Sequence, residues 1–238
     1  MKPLYCFHFC FLLVATIANA QVKDINGKIY TTVKIGAQEW MSENLDVATF
    51  RNGDSIPQAR SSAEWWQAGQ EGKPVWYYYN NDPVMGKLYG KLYNWYAISD
   101  PRGLAPSGWH VPNDKEWAVL IDYLGGDSIA GKKMRNITGW NDSYGPGGPY
   151  ASDARLTTGN GTNESGFTAL PGGVRNYSTF TGLGIWGYFW SSSEYGYDNG
   201  QKDNRFAYYR YMDNRYPTYI FRENIRKWEG YSCRCVKD

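Results

Sequence analysis

The chain has 238 residues, with 25 Lys and Arg against 23 Asp and Glu and a formal net charge of +2. That balance argues against a nucleic-acid partner, which needs a concentrated basic face, and gives no reason for adhesion to acidic membranes. Aromatic residues make up 17%, including 11 Trp and 21 Tyr beside 27 Gly, a composition that suits a core set among loops or an aromatic binding face, and the charge and hydrophobicity do not suggest disorder. The opening "MKPLYCFHFCFLLVATIANA" has a basic start at Lys2, an apolar run from Phe7 to Ile17 and the small-x-small triplet Ala18-Asn19-Ala20. It predicts a secretory signal cleaved before Gln21; as a membrane anchor the run is too short to span a bilayer comfortably. No cysteine follows the small residues, which argues against a lipoprotein. Cys6 and Cys10 go with the signal, and no later segment is apolar enough to cross a membrane.

Residues 21–238 are long enough for one large domain or two small ones, with a real core. In "DINGKIYTTVKIGAQEWMSENL", Asn26-Gly27 predicts a two-residue hairpin turn, and Gly36-Ala37 a second turn before Trp40. "RNGDSIP" reads as a loop. "SSAEWWQAG" reads as a short helix capped by Ser61 or Ser62, with Gly69 past its end. "PVWYYYNND" reads as extended. "YGKLYNWYAIS" reads as a helix with Leu92, Trp95 and Tyr96 on one side. In "VPNDKEWAVLIDYLGG", Asn113 and Glu116 form a capping box. Trp117, Leu120, Ile121 and Leu124 there make one apolar stripe, and Gly125 is the stop. A shorter helix is expected from Ile129 to Arg135.

From Ile137 to Gly166 the chain is dense in Gly, Asn, Ser, Thr and Asp, and it reads as a long irregular loop of the kind that often carries function. Five Asn-x-Ser/Thr sequons, at Asn136, Asn141, Asn160, Asn163 and Asn176, follow from that composition. Short β-type segments come next: "GFTALPGGVR", "YFWSSSE", "RFAYYRYMD" and "YSCRCV". Helices mainly in the first half and short antiparallel strands in the second predict an α+β fold. Neither a long repeat nor a Pro- or Ser-rich linker divides the chain, so 21–238 reads as a single domain.

Seven ordered blocks, "DINGKIYTTVKIGAQEWMSENL", "YGKLYNWYA", "LAPSGWHVPNDKEW", "YLGG…AGKKM", "NESGFTALPGGVR", "GIWGYFWSSSE" and "SCRCVKD", resemble the Fibrobacter succinogenes major paralogous domain from Asp24 to Asp238. The resemblance implies a secreted or surface-attached protein of a Gram-negative bacterium, placed in the periplasm, on the cell surface or outside the cell. It implies a C-type lectin-like fold, related also to the formylglycine-generating enzyme, and it implies no reaction. Relatives often carry a cysteine in "LCPxGWHVP" and another in the terminal "RCV", and the resemblance implies a disulfide between those two positions. Here the first position is Ala105, Cys235 matches the second, and Cys233 is extra. Residues i and i+2 of a strand share a face with Cα atoms about 7 Å apart, near the limit for an unstrained disulfide. Cys233 and Cys235 are therefore expected as two buried thiols; a strained redox disulfide or a soft-metal pair are the alternatives.

His110 is the one histidine after the signal, so any Ser-His-Asp arrangement must use it, with Ser191, Ser192 or Ser193 as nucleophile. No Gly-x-Ser-x-Gly elbow surrounds those serines, and "GWHVP" reads as a lead-in to the helix. Cys233-Arg234-Cys235 also lacks the wider cysteine spacing of the formylglycine-generating enzyme. "WND" at Trp140-Asn141-Asp142 matches a short calcium tripeptide of sugar-binding lectins but lacks its companion motif. Asp142, Asp153 and Glu164 are candidate ligands for a structural calcium in the long loop; no other cofactor is expected. Tyr77, Tyr78 and Tyr79 are consecutive, as are Tyr208 and Tyr209, so some of these rings are expected at the surface. Tyr77, Tyr79, Trp140, Tyr144 and Tyr150 are the candidate ligand-binding residues. The reading is a non-catalytic exported binding module for a glycan or cell-surface protein. The alternatives are an enzyme using His110 or Cys233/Cys235, and a structural surface protein.

Overall fold

The computed structural model describes residues 21–152, 155–176, 178–198 and 201–238, so the expected signal segment lies outside the described residues. The fold is mixed α/β and dominated by strands. Strand β1 (Gln21–Lys23) pairs antiparallel with β2 (Ile29–Ile35), which pairs with β3 (Gln38–Met41). Gly36-Ala37 is the expected two-residue turn between Ile35 and Gln38, with Gly36 at φ 61°. The first connection is longer than the two residues expected: the Asp24 N–H donates to the Lys28 carbonyl, the turn closes from the Gly27 N–H to the Asp24 carbonyl, and Gly27 at φ 88° leads out of it, a region glycine enters without steric cost. Three strands thus precede the first helix and three two-residue strands lie between the helices, so the expected order is met only in that the α-helices fall within residues 62–134 and the long strands after residue 172.

Helix α1 (Ser62–Gln70) starts at its Ser61 cap. Gly69 lies inside it rather than beyond it, because the Trp228 side chain packs where a Cβ would stand. Strand β4 (Trp76–Tyr77) and helix α2 (Pro83–Tyr89) follow. The helix expected over "YGKLYNWYAIS" is not formed. Gly90, at φ 73° against the Leu45 carbonyl, ends α2. Leu92–Tyr93 then becomes strand β5 against β4, and Asn94 caps a four-residue helix α3 (Trp95–Ile98). After strand β6 (Trp109–His110), helix α4 (Asp114–Tyr123) carries the expected capping box and buries Trp117, Leu120 and Ile121. Helix α5 (Asp127–Met134) begins two residues earlier than expected. The segment 137–166 contains one 3-10 turn, at Gly148–Tyr150, and otherwise neither helix nor strand among the described residues.

The second half builds a sheet from β7 (Gly172–Arg175), β8 (Phe180–Leu183), β9 (Trp186–Asp198), β10 (Gln201–Asp213) and β11 (Phe221–Arg226), in the order β11-β10-β9-β7-β8. The last strand, β12 (Val236–Lys237), returns to the first sheet between β3 and β6. One face of the second sheet supplies Phe189 and Met212 to a core beneath α4 and α5; Trp190, Ala207 and Tyr209 feed the other main core.

Arg234 sits where these parts meet and is fully buried. Its guanidinium donates to the carbonyls of Met41, Phe167 and Thr168 and to Asn44 Oδ1, and lies 4.5 Å over the Phe167 ring. Cys233 and Cys235, on either side, are buried and unbonded to each other. Burial pushes the Cys233 thiol well up, which makes it an inert thiol. Arg234→Met keeps the side-chain bulk but orphans those acceptors. It is expected to lower the unfolding free energy by at least about 3 kcal/mol in urea titration. A loss under about 1 kcal/mol contradicts this role for Arg234.

Candidate aromatic binding face

Side chains alternate along a strand, so residues two apart share a face. On β9 this aligns Trp186, Tyr188 and Trp190; on β10 it aligns Tyr209 and Tyr211. The register sets Tyr188 and Phe221 on either side of Tyr211, and Trp190 opposite Tyr209. The rings form a continuous array. Tyr188 stacks on Tyr211 at 5.2 Å, Tyr211 on Phe221 at 4.8 Å, and Phe221 on Tyr219 at 5.6 Å, with planes within 23° of parallel. At the inner end Tyr188 meets Tyr209 at 5.4 Å and Tyr231 at 4.9 Å. Exposure rises along the array, from Tyr231 at 4% through half-buried Tyr188, Tyr211 and Phe221 to Tyr219 at 41%.

A buried tyrosine hydroxyl normally finds a partner. The hydroxyls of Tyr188, Tyr209, Tyr211 and Tyr231 have no hydrogen bond to any described residue, and none is sealed from solvent. Burial, reinforced by neighbouring tyrosines and carboxylates, raises all four pKa values, so the groups are neutral phenols that donate and accept.

The polar rim is fixed by internal bonds. Asp213 accepts from the Trp186 indole at 3.0 Å and pairs with Arg215. Burial pushes Asp213 up, but the donations from Arg215 and Trp186 outweigh it and hold the carboxyl below its usual value. Arg135, fully buried, donates to the carbonyls of Asp213, Tyr216 and Gly159 and lies 4.3 Å over Trp140. Asn214 donates to the Asn141 carbonyl, and the Asn141 N–H to Gly184. The long loop is therefore tied to the edge of the array. At the inner end, burial pushes Glu229 up to about 7, against the pull of the Trp228 indole and Arg175.

A family model for the Fibrobacter succinogenes major domain matches residues 33–237. The chain belongs to that family. No curated protein and no solved structure matches it.

Tyr77 and Tyr79 of this Fibrobacter succinogenes major domain are not surface platforms. Both are buried, Tyr77 stacked on Trp65 and Tyr79 against Phe180, because the chain turns into a 3-10 helix at Tyr79 rather than continuing as a strand. Trp140 is also buried; its indole N–H donates to Ala169 and its ring lies against Gly187. Tyr144, 44% exposed, precedes Gly145, which approaches the Arg215 carbonyl at the rim; Tyr150 is 97% exposed. Asp142 and Glu164 are exposed and Asp153 lies outside the described residues; among the described residues no three His, Cys, Asp or Glu converge on a metal position. Sequence reasoning missed Trp186, Tyr188, Tyr211, Tyr219 and Phe221. The signal was the two-residue period of aromatics in "WGYFW" and "YYRYM".

His110 lines an open cavity of about 360 Å³ with Ser192, yet both its ring nitrogens are engaged, Nε2 by Glu116 and Nδ1 by Asp238, each at 2.7 Å. Ser193 Oγ accepts from the Asp114 N–H, and Ser191 is buried. The two carboxylates hold the imidazole between helix α4 and the residue that follows β12. Burial works against its charge, but the bonds to Asp238 and Glu116 outweigh that and raise the pKa. Stabilisation from charged His110 is complete below its unfolded pKa of about 6.5 and is lost as pH rises through the folded value. His110→Ala is therefore expected to cost more stability at about pH 5 than at about pH 9, by at most about 1 kcal/mol for so exposed a group. Equal losses in urea unfolding at both pH values contradict this.

Proposed function

We propose that this chain is an exported, non-catalytic binding module that holds a glycan on the aromatic face formed by Trp186, Tyr188, Tyr211, Tyr219 and Phe221. The reading includes export through residues 1–20 and a C-type lectin-like arrangement of the fold. The observation that carries it is the partly exposed stack of rings whose tyrosine hydroxyls have no hydrogen-bond partner among the described residues. Aromatic rings give large apolar contact with little entropy to lose, and phenol hydroxyls match the donor and acceptor pattern of a sugar. The rim is preorganised by Arg135 and Asp213, which lowers the ordering cost of binding. The engagement of both His110 nitrogens and the burial of both thiols favour binding over catalysis.

A glycan-array screen of the purified protein, run with calcium and with chelator, tests this. Binding indifferent to chelator is expected. Tyr211→Ala removes the central ring and is expected to weaken binding by about 10- to 100-fold, as loss of an interface anchor does. A hit abolished by chelator instead places the ligand at a calcium site such as Asp142, Asp153 and Glu164. A hit unchanged by Tyr211→Ala removes the aromatic face from the account.

A further inference from the structure

The charge around the aromatic face narrows the class of ligand. The charged groups that bear on the four hydroxyls are Asp213, Arg215, Glu223 and Glu229. The Arg215 guanidinium donates through Nε and Nη2 to the Asp213 carboxylate, so the one cation of the group is compensated within the protein. Glu223 is exposed and stands opposite Tyr209 on the same face of the sheet. Glu229 lies at the inner end, where burial pushes it up to about 7 and Arg175 faces it. The charge left uncompensated among these groups is that of exposed Glu223, and it is negative. Arg222 and Arg210 cannot offset it, since both pair with Asp114 at the start of α4, on the opposite face of the sheet. Arg135 is buried beneath the rim with its donors on backbone carbonyls.

An acidic ligand would have to bring its charge against Glu223, and among the described groups that bear on the hydroxyls the one cation, Arg215, already pairs with Asp213. A neutral glycan meets no such penalty and supplies hydroxyls, which both donate and accept, to phenols that do the same. Resting on the reading above, we propose that this face selects neutral, hydroxyl-rich glycans over uronate- or sulfate-bearing ones, and that Tyr188, Tyr209 and Tyr211 read the sugar through their hydroxyls. Recognition then owes little to long-range electrostatics and nothing to a metal.

The test is isothermal titration of the purified protein with neutral polysaccharides (β-glucan, mannan, galactan, xylan) and with acidic ones (polygalacturonate, a sulfated galactan). Each titration runs at about 50 and about 500 mM salt, the range over which exposed charge interactions are screened. The expected result is binding to a neutral polymer that changes less than about twofold with salt, and no comparable binding to the acidic polymers. Tyr188→Phe and Tyr211→Phe keep the rings and remove one hydroxyl each; each is expected to weaken the neutral ligand by about 2- to 10-fold. Circular dichroism and urea midpoints check that the variants are folded. Tight binding of an acidic polymer that fades at high salt overturns the ligand class, as does failure to bind any neutral polymer. In the acidic case, loss of binding in Tyr211→Ala still leaves the aromatic face as the site. Binding of a neutral polymer that survives Tyr188→Ala and Tyr211→Ala overturns the site itself. Full affinity in both Phe variants removes the hydroxyls from recognition.

Discussion

Irregular backbone can be buried only if something meets its carbonyls, and in this chain buried guanidinium groups do so. Arg135, Arg175, Arg210 and Arg234 are all buried. Two of them join backbone carbonyls of segments far apart in sequence: Arg234 those of Met41, Phe167 and Thr168, Arg135 those of Gly159, Asp213 and Tyr216. Arg175 reaches Asn176 and Thr179, and Arg210 the Asp114 carbonyl. A planar fork with several fixed donors suits this task better than an ammonium. Three of the four guanidiniums also lie over aromatic rings, which offsets part of the lost hydration. The strain of burial remains visible, since it pushes Arg135 and Arg234 down to about 9.

This arrangement explains how a chain with so few long elements presents an ordered surface. The turn from Asp213 to Tyr216 carries Arg215 and leads into Tyr219 and Phe221. It is held from below by Arg135 and from the side by Trp186 and by the Asn141 carbonyl, which accepts from Asn214. The long loop is fixed to the same turn through Trp140 and Asn141, so it frames the aromatic face. The rings then continue inward without a gap, from Tyr219 at the surface to Tyr231 and Trp190 in the core. A ligand on the outer rings rests on groups already locked by core packing, and binding has little left to order.

Local chemistry made parts of this legible in the sequence. The α4 capping box and its apolar stripe, the Gly36-Ala37 turn, the irregular 137–166 segment and the family resemblance all follow from residues close in sequence. Distant contacts decided the rest. Leu92 and Tyr93 suit a helix, but pairing with Trp76 and Tyr77, and of Tyr93 with Tyr231, made them a strand. The consecutive tyrosines at 77–79 looked half-exposed by strand alternation, and a 3-10 turn with covering aromatics buried Tyr77 and Tyr79. The aromatic face lies across three strands and a turn. Its two-residue period is written in the sequence, but which face the helices would cover is not.

The central claim is that ligand meets the protein at the stacked rings. The most direct measurement is an amide and indole NMR titration of the protein with neutral oligosaccharides. Shifts gathered at the Trp186 indole, Tyr188, Tyr211, Tyr219 and Phe221, with His110 and the Cys233–Cys235 segment still, are the predicted result. Shifts centred on the His110 cavity, or spread along residues 142–164 and dependent on calcium, would contradict it.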